Sequence, residues 1–397
     1  MRAIWSLGLL GILATPGGCD AAATGRLADT GQTACYGLSG EIDAPAAAEP
    51  FLGQDAQYGP NEMTYRDNGD GTVTDLVTTL IWQQDPGVKM TFAQAKAGAA
   101  KFRLAGHSDW RLPTIKELYS LIDFRGYIGP RGGTPYINTD VFKFTYGDPA
   151  LGERSIDSQF CSGTEYVGTT MGRNHTVFGV NFADGRIKGY PASAPFPGAR
   201  EKTFYCLYVR GPSDYGVNSF TDNGDETIAD AATGLTWMKD DSGEFGVGDF
   251  GTGQVTWEQA LAWAEGLTFA GRSDWRLPNA KELQSLVDYT RSPQTDGVAA
   301  IDPMFNCTEI TREDGAIDFG FYWTSTTHLD GPTPGARACY VCFGSAMGYM
   351  NGRWLDVHGA GAQRSGLKAG DPRLYEFGHG PQGDAQRMHN FVRCVRG

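Results

Sequence analysis

The chain has 397 residues, a formal net charge of −13, 41% hydrophobic residues and 20% charged residues. This composition is typical of a globular protein and leaves room for two domains of ordinary size. The acidic balance disfavours nucleic acid as a partner and docking by charge on an anionic membrane, because both depend on clustered Lys and Arg.

Residues 1–19 have the layout of a secretory signal. Arg2 supplies a positive start, residues 3–14 are mostly apolar, and Pro16 interrupts the run before Cys19. Such a run is too short to span a bilayer. The small residues before Cys19 resemble a bacterial lipobox, so we predict an extracytoplasmic envelope lipoprotein, attached to the membrane only through lipid on Cys19. Signal cleavage without lipidation, giving a secreted protein, is the alternative.

Residues 20–59 are predicted to be a spacer. Ala, Gly, Pro and Thr dominate this stretch, and no helical or strand period holds in it. Such a segment would separate the folded part of the chain from a lipid anchor.

The remainder is predicted to be a tandem duplication, with domain 1 at 60–211 and domain 2 at 215–397. The sequence DNGDGTVTD at 67–75 is matched by DNGDETIAD at 222–230, and SDWRLP occurs twice. A repeat of this length indicates a duplicated domain and not a solenoid unit.

Each copy is predicted to contain short strands, then two helices, then a loop-rich antiparallel sheet, which is an α+β arrangement. Capping boxes at Thr91–Gln94 and Thr256–Gln259 mark the start of the first helix. Thr114 and Asn279, each followed three residues later by Glu, mark the start of the second.

The duplicated SDWRLP motif is predicted to be structural. Trp110 and Arg111 in copy one are repeated as Trp275 and Arg276 in copy two, with identical neighbours. A guanidinium beside a buried indole is suited to a two-pronged ion pair that ties the loop to the following helix. Occurrence in both halves favours a scaffolding role over a catalytic one.

Seven cysteines follow Cys19, and in an exported protein they are candidates for disulfides. Because seven is odd, at least one would stay free or pair between chains. Cys339 and Cys342 have C-x-x-C spacing, but in a strand their sulfurs would point to opposite faces. Structural disulfides or buried thiols are therefore favoured there over zinc or redox chemistry.

Several motifs, in the same order in both halves, resemble the Lcl C-terminal domain family, named after the globular head of a bacterial collagen-like adhesin. They are DNGDGTVTD with LIW, SDWRLP with KEL, the YWTSTTH segment at 322–328 and the terminal VRCVRG. The resemblance implies two tandem C-type-lectin-like domains, an architecture shared with formylglycine-generating enzymes, and attachment to glycans. Because this chain is acidic, glycan capture through bulk positive charge does not carry over.

Calcium is a possible cofactor. Carboxylates recur around the DNGD turns, where they could supply oxygen ligands. Their spacing is not that of an EF-hand, and Asp in tight turns also binds its own backbone. The candidate ligands are Asp67, Asp70, Asp75, Asp222, Asp225 and Asp230.

The ligand-binding residues are predicted in the long polar segment near the end of copy two, which has no counterpart of equal length in copy one. Polar loops on a rigid scaffold are a common place for binding. The candidates are Trp354, Asp356, His358, Gln363, Arg364, His379, Gln382, Asp384 and Arg387.

The sequence therefore predicts a non-catalytic, adhesin-like binding protein of the bacterial cell surface, recognising carbohydrate or a surface protein. No G-x-S-x-G elbow is present, and no Ser or Cys nucleophile has an assignable His partner. One alternative is a copper oxidase of the formylglycine-generating type that uses Cys339 and Cys342. Another is a structural component of the envelope.

Overall fold

A computed structural model describes residues 27–59, 61–130 and 132–397. The predicted signal segment and Cys19 lie outside the described residues. The first described segment contains a two-stranded sheet formed by β1 (Cys35–Tyr36) and β2 (Glu41–Ile42).

Copy one forms small antiparallel sheets and two helices. Its elements are β3 (Tyr65–Asp67), β4 (Thr72–Asp75), β5 (Ile81–Gln83), β6 (Met90–Thr91), α1 (Phe92–Ala99), α2 (Ile115–Ser120), β7 (Tyr127–Gly129), β8 (Gly132–Thr134), β9 (Gln159–Glu165), β10 (Thr176–Asn181), β11 (Arg186–Pro191), β12 (Thr203–Phe204) and β13 (Val209–Arg210). The larger sheets have the strand orders β13-β5-β4-β3 and β11-β10-β9.

Copy two repeats both of these sheets. Its elements are β14 (Phe220–Asp222), β15 (Thr227–Asp230), β16 (Leu235–Met238), α3 (Trp257–Gly266), α4 (Ala280–Ser285), α5 (Pro293–Asp296), β17 (Glu309–Thr311), β18 (Ile317–Phe319), β19 (Phe321–His328), β20 (Arg337–Cys342), β21 (Met347–Met350), β22 (Arg353–Asp356), β23 (Gln363–Leu367) and β24 (Val395–Arg396). The orders β14-β15-β16-β24 and β19-β20-β23 correspond to those of copy one. The sheet-rich α+β prediction is confirmed at this level.

The predicted helix starts are confirmed. Thr91, Thr114, Thr256 and Asn279 each accept a hydrogen bond from a backbone N–H in the first turn and complete a capping box. The prediction of two helices per copy is wrong for copy two, because Ser292 caps the additional one-turn helix α5. Among the helices of the described ranges, none is long and apolar enough to cross a membrane.

The largest apolar cluster contains residues from both copies. Helices α2 and α4 pack against each other at its centre. Lys116 Nζ of α2 donates to the carbonyl of Ser285 at 2.7 Å, and Lys281 Nζ of α4 donates to the carbonyl of Ser120 at the same distance. The two copies therefore make the same lysine contact with each other in both directions.

The segment predicted to be a spacer packs onto the folded copies along its described part, residues 27–59, which we call the N-terminal strap. Gln32 Nε2 donates to the carbonyl of Thr327 at 2.8 Å, and Lys281 Nζ donates to the carbonyl of Asp29 at 2.6 Å. Asp55 is buried and accepts a hydrogen bond from Thr326. Scattered polar residues make these contacts, so no periodic pattern marks them in the sequence.

All seven cysteines in the described part of the chain are free thiols, and only Cys307 among them is partly exposed. Cys339 and Cys342 lie on β20 and are fully buried in two different apolar clusters. Their side chains therefore point to opposite faces of the strand, as their spacing predicts.

Candidate functional site

A polar cleft with a volume of about 220 Å³ lies between the two copies. Strand β11 of copy one packs beside β23 of copy two, and these are the equivalent third strands of the two three-stranded sheets. The cleft opens along this contact and is walled on its far side by the turn at 379–384. Both copies therefore contribute to one site.

The copy-one wall is the hairpin of β10 and β11. Asp184 lies in the turn, where Gly185 adopts a φ of +65°. Arg186 and Lys188 are two residues apart on β11 and so project to the same face. Lys188 forms an ion pair with Asp184, while Arg186 reaches across the cleft to form an ion pair with Asp330.

The copy-two wall is centred on Arg364 of β23. Its guanidinium forms an ion pair with Asp384, which lies at the end of the turn opposite. His358 Nε2 lies 3.0 Å from the other oxygen of Asp384. Because a carboxylate only accepts, the ring donates this hydrogen bond from Nε2.

Attraction between the opposite charges in the cleft offsets the cost of removing them from water. Burial alone would raise the pKa of Asp184, but the charges of Lys188 and Arg186 outweigh it and lower that pKa. Burial lowers the pKa of Lys188 to about 8, against the opposing effect of Asp184. Burial and the charge of Arg364 lower the pKa of His358 to about 4. At neutral pH the carboxylate and the ammonium are therefore ionised and the imidazole is neutral.

Residues that line the cleft carry buried polar atoms without a hydrogen-bond partner among the described residues. Native proteins contain few such atoms, and each one calls for a bound water, ion or ligand. Five occur here: Gln159 Oε1, Asp184 Oδ1, Tyr190 Oη, and Nε and Nη1 of Arg364. The cleft is also lined by Arg337, Gln382 and Gln386, whose side chains offer both donors and acceptors to a polar ligand.

Comparison with family models identifies the family of the chain. The model described as "Lcl C-terminal domain" matches residues 71–210 and 226–358, more than half of the sequence. The chain belongs to the Lcl C-terminal domain family. This confirms the resemblance and the two tandem copies. Neither the curated proteins nor the solved structures that were compared with the chain gave a match.

Membership in the Lcl C-terminal domain family suggests a surface, adhesin-like protein and favours a role without catalysis. The second match ends at residue 358, so Arg364 and Asp384 lie beyond it. The copy-two wall of the cleft is therefore built largely by sequence outside the matched Lcl range.

The structure brings only part of the predicted binding segment to the cleft between the Lcl copies. Arg364, His379, Gln382 and Asp384 line it, and His358 supports Asp384 from behind.

The remaining predicted residues lie elsewhere. Trp354 packs against Tyr349 on the β21–β22 hairpin, and Arg387 forms an ion pair with Glu313. Asp356 accepts hydrogen bonds from Tyr166 and a nearby backbone N–H. Gln363, adjacent to Arg364, projects to the opposite face of β23 and is fully buried.

The copy-one residues of the cleft were missed by sequence reasoning, because an Asp-Gly pair such as 184–185 indicates only a hairpin turn. The pattern Arg-Ile-Lys at 186–188 carries the available signal, because alternation puts both cations on one face of a strand. Asp330 and Arg337 gave no comparable local signal.

The aspartates proposed as calcium ligands serve the turns of the Lcl copies. Asp67 accepts from Gly69 N at 2.8 Å, and its counterpart Asp222 accepts from Gly224 N at the same distance. Asp75 likewise accepts from Val77 N at 2.9 Å. Asp70, Asp225 and Asp230 also accept hydrogen bonds from nearby backbone or hydroxyl groups. Within the described ranges, no group of three or more such side chains is arranged to hold a metal.

The SDWRLP motif performs the same structural task in each Lcl copy. Arg276 binds Glu282 through two hydrogen bonds of 2.7 Å, and Arg111 binds Glu117 through two of 2.6 Å. Trp275 Nε1 donates to the carbonyl of Phe269 at 3.0 Å. Each pair ties the loop to the following helix, through the same glutamate that completes the capping box.

Proposed function

We propose that the chain is a non-catalytic, adhesin-like binding protein of the bacterial cell surface, which holds carbohydrate or a surface protein in the cleft between its two copies. The observation that carries this proposal is the cleft itself, which both copies line with charged and polar side chains. Family membership supports the adhesin-like role.

A double variant tests this proposal. Lys188→Gln together with Arg364→Gln removes one cation from each wall, so we expect attachment of the mature protein to host cells or immobilised glycans to fall at least tenfold. Arg312→Gln is the matched control, because Arg312 is also a part-buried, ion-paired arginine but pairs with Asp314 and Asp318 away from the cleft. Attachment that is equal in all three proteins would contradict the proposal.

We also propose that the protein is exported and anchored by lipid on Cys19, as the signal pattern suggests. Cys19→Ser should then move the protein from the membrane fraction to the soluble extracytoplasmic fraction and abolish its labelling by a fatty acid. Unchanged membrane association would contradict the anchor while leaving the binding role standing.

The copies are further proposed to be C-type-lectin-like, as the family resemblance implies. An experimental structure of the mature chain tests this by its topology. The copper-oxidase alternative gains no support from Cys339 and Cys342, because they point into different apolar clusters. An envelope-structural role would be favoured if deletion of the protein weakened the envelope without loss of attachment.

A further inference from the structure

We propose that an open groove at the junction of the two copies binds an extended peptide segment of a partner protein, in the manner in which the other side of the junction holds the N-terminal strap. The groove has a volume of about 460 Å³ and is lined by Thr164, Tyr289 and part of the segment 213–218, which joins the copies. It is separate from the polar cleft, so the inference does not depend on the function proposed for the cleft.

The internal duplication makes the two sides of the junction equivalent. Thr164 and Thr326 each accept a hydrogen bond from the backbone N–H of the first residue of the neighbouring helix, at 3.0 and 2.9 Å. Phe124 and Tyr289 each lie four residues beyond the last residue of the same helices, α2 and α4. Thr326 and Phe124 on one side therefore correspond to Thr164 and Tyr289 on the other.

The strap binds both positions on its own side of the junction. Phe124 N donates to the carbonyl of Thr30 at 2.8 Å, and the hydroxyl of Thr326 donates to the side chain of Asp55. Phe124 and Thr326 are fully buried. The strap thus supplies this surface with one backbone carbonyl and one acceptor side chain.

The corresponding donors on the groove side are available to a ligand. Tyr289 N and the hydroxyl of Thr164 have no acceptor among the described residues. Both residues line the groove and are partly exposed. A bound segment that offers a carbonyl to Tyr289 and an acceptor side chain to Thr164 would make the same two hydrogen bonds that the strap makes. Such backbone hydrogen bonds are a common source of affinity for extended peptides.

The wall of the groove favours a glycine next to that carbonyl. In the strap, Gly31 follows Thr30 and has a φ of +81°, and a Cβ there would lie 2.9 Å from Asp123 Oδ1. Asp288 is the residue equivalent to Asp123 and lines the groove. A side chain at this point of a bound segment would meet the carboxylate of Asp288. We therefore expect the partner segment to carry glycine there.

Titration of the mature protein with a fluorescent strap peptide, residues 27–59, tests the inference by anisotropy. The protein's own strap is held by an intramolecular contact, so added peptide is left to bind the groove. We expect saturable binding. A Gly31→Ala peptide should bind at least tenfold more weakly, and a Glu41→Ala peptide should bind like the native one, because Glu41 is exposed in the strap. Absence of binding, or equal binding of the Gly31→Ala peptide, would overturn the inference.

Amide hydrogen exchange locates the bound peptide. In the protein alone, the N–H of Phe124 should exchange slowly and that of Tyr289 rapidly, because only the first has an acceptor. Peptide binding should slow exchange at Tyr289 at least tenfold and leave Phe124 unchanged. Unchanged exchange at Tyr289 in the complex would overturn the inference. Slow exchange before peptide is added would show that the chain itself or a second copy covers the groove, and would also overturn it.

A variant of the protein gives an independent measurement. Thr290 is exposed and lines the groove, so Thr290→Trp should narrow the groove and weaken peptide binding at least tenfold. Thr311→Trp is the control, because Thr311 is exposed on β17 and does not line the groove. Circular dichroism identifies a variant that fails to fold, and the peptide variants then still decide the matter. Native affinity in a folded Thr290→Trp protein would contradict binding in the groove.

Discussion

The buried arginine–glutamate pair of the SDWRLP motif differs between the copies in its exposure to solvent. The side chain of Arg276 is 8% exposed, whereas that of Arg111 is 31% exposed. The ring of Tyr58 in the N-terminal strap lies 5.6 Å from the guanidinium of Arg276 and helps to cover it. The guanidinium of the motif is therefore more shielded from solvent in copy two.

This difference predicts unequal costs for the same substitution. Arg276→Gln should lower the free energy of unfolding by about 3–5 kcal/mol, because it strands Glu282 as a buried charge. Arg111→Gln should cost less, about 1–3 kcal/mol, because Arg111 is 31% exposed and water that enters the space it leaves can reach the buried Glu117. Urea denaturation of both variants and the native protein measures the two values. Equal losses would show that the strap does not set the environment of Arg276.

The N-terminal strap carries a buried acid at its contact with copy two. Asp55 accepts hydrogen bonds from Thr30, at 2.8 Å, and from Thr326 of β19. Burial first, and then the nearby charge of Asp29, raise the pKa of Asp55 to about 7. The strap is therefore held most tightly when this carboxyl group is protonated.

Asp55→Asn should change how stability depends on pH. Between about pH 4 and pH 7 the folded protein holds a proton on Asp55 that the unfolded chain has released, so the free energy of unfolding falls as pH rises through this range. We expect the variant to exceed the native protein in stability by up to about 4 kcal/mol at pH 8. Near pH 4 the two proteins should have similar stability.

Urea denaturation between pH 4 and pH 8 makes this measurement. Asp43→Asn is the control, since Asp43 lies in the same strap but is exposed. The control should show the native pH dependence. If Asp55→Asn also shows it, the carboxyl group of Asp55 is not protonated in the folded state.

Helices α1 to α4 could be predicted from the sequence, whereas α5, the strap contacts and the cleft could not. A capping box places its two residues three positions apart, as Thr91 and Gln94 show, so the signal is local. Arg186 and Asp330 lie far apart in sequence and meet only because copy one packs against copy two. Asp55 and Thr326 are also distant in sequence and meet only in the folded protein.

The two copies are joined by one apolar core, and this bears on how the whole molecule unfolds. Buried residues of α2 and α4 belong to the same cluster. Lys281 crosses the junction and donates to the carbonyls of both Asp29 and Ser120. A single cooperative unfolding transition is therefore expected for the described part of the chain.

Hydrogen exchange under increasing urea tests this cooperativity. Protection of β10 in copy one and β20 in copy two should be lost at the same urea concentration. Lys281→Met should lower the urea midpoints of both strands together. We expect a loss of about 2–3 kcal/mol in the free energy of unfolding, because the substitution leaves two buried carbonyl groups without donors. Lys96→Met is the control, since the side chain of Lys96 is 65% exposed. Separate transitions for the two strands would contradict the shared core.

The reciprocal contacts of Lys116 and Lys281 have the form of an isologous interface, the kind that joins the subunits of a twofold symmetric homodimer. Covalent linkage of two such subunits frees their surfaces from having to be identical. Lys188 and Arg364, on equivalent strands, already differ. A symmetric cleft would hold an asymmetric molecule in two equivalent orientations. Because the two walls of this cleft differ, it can hold a ligand in a single orientation.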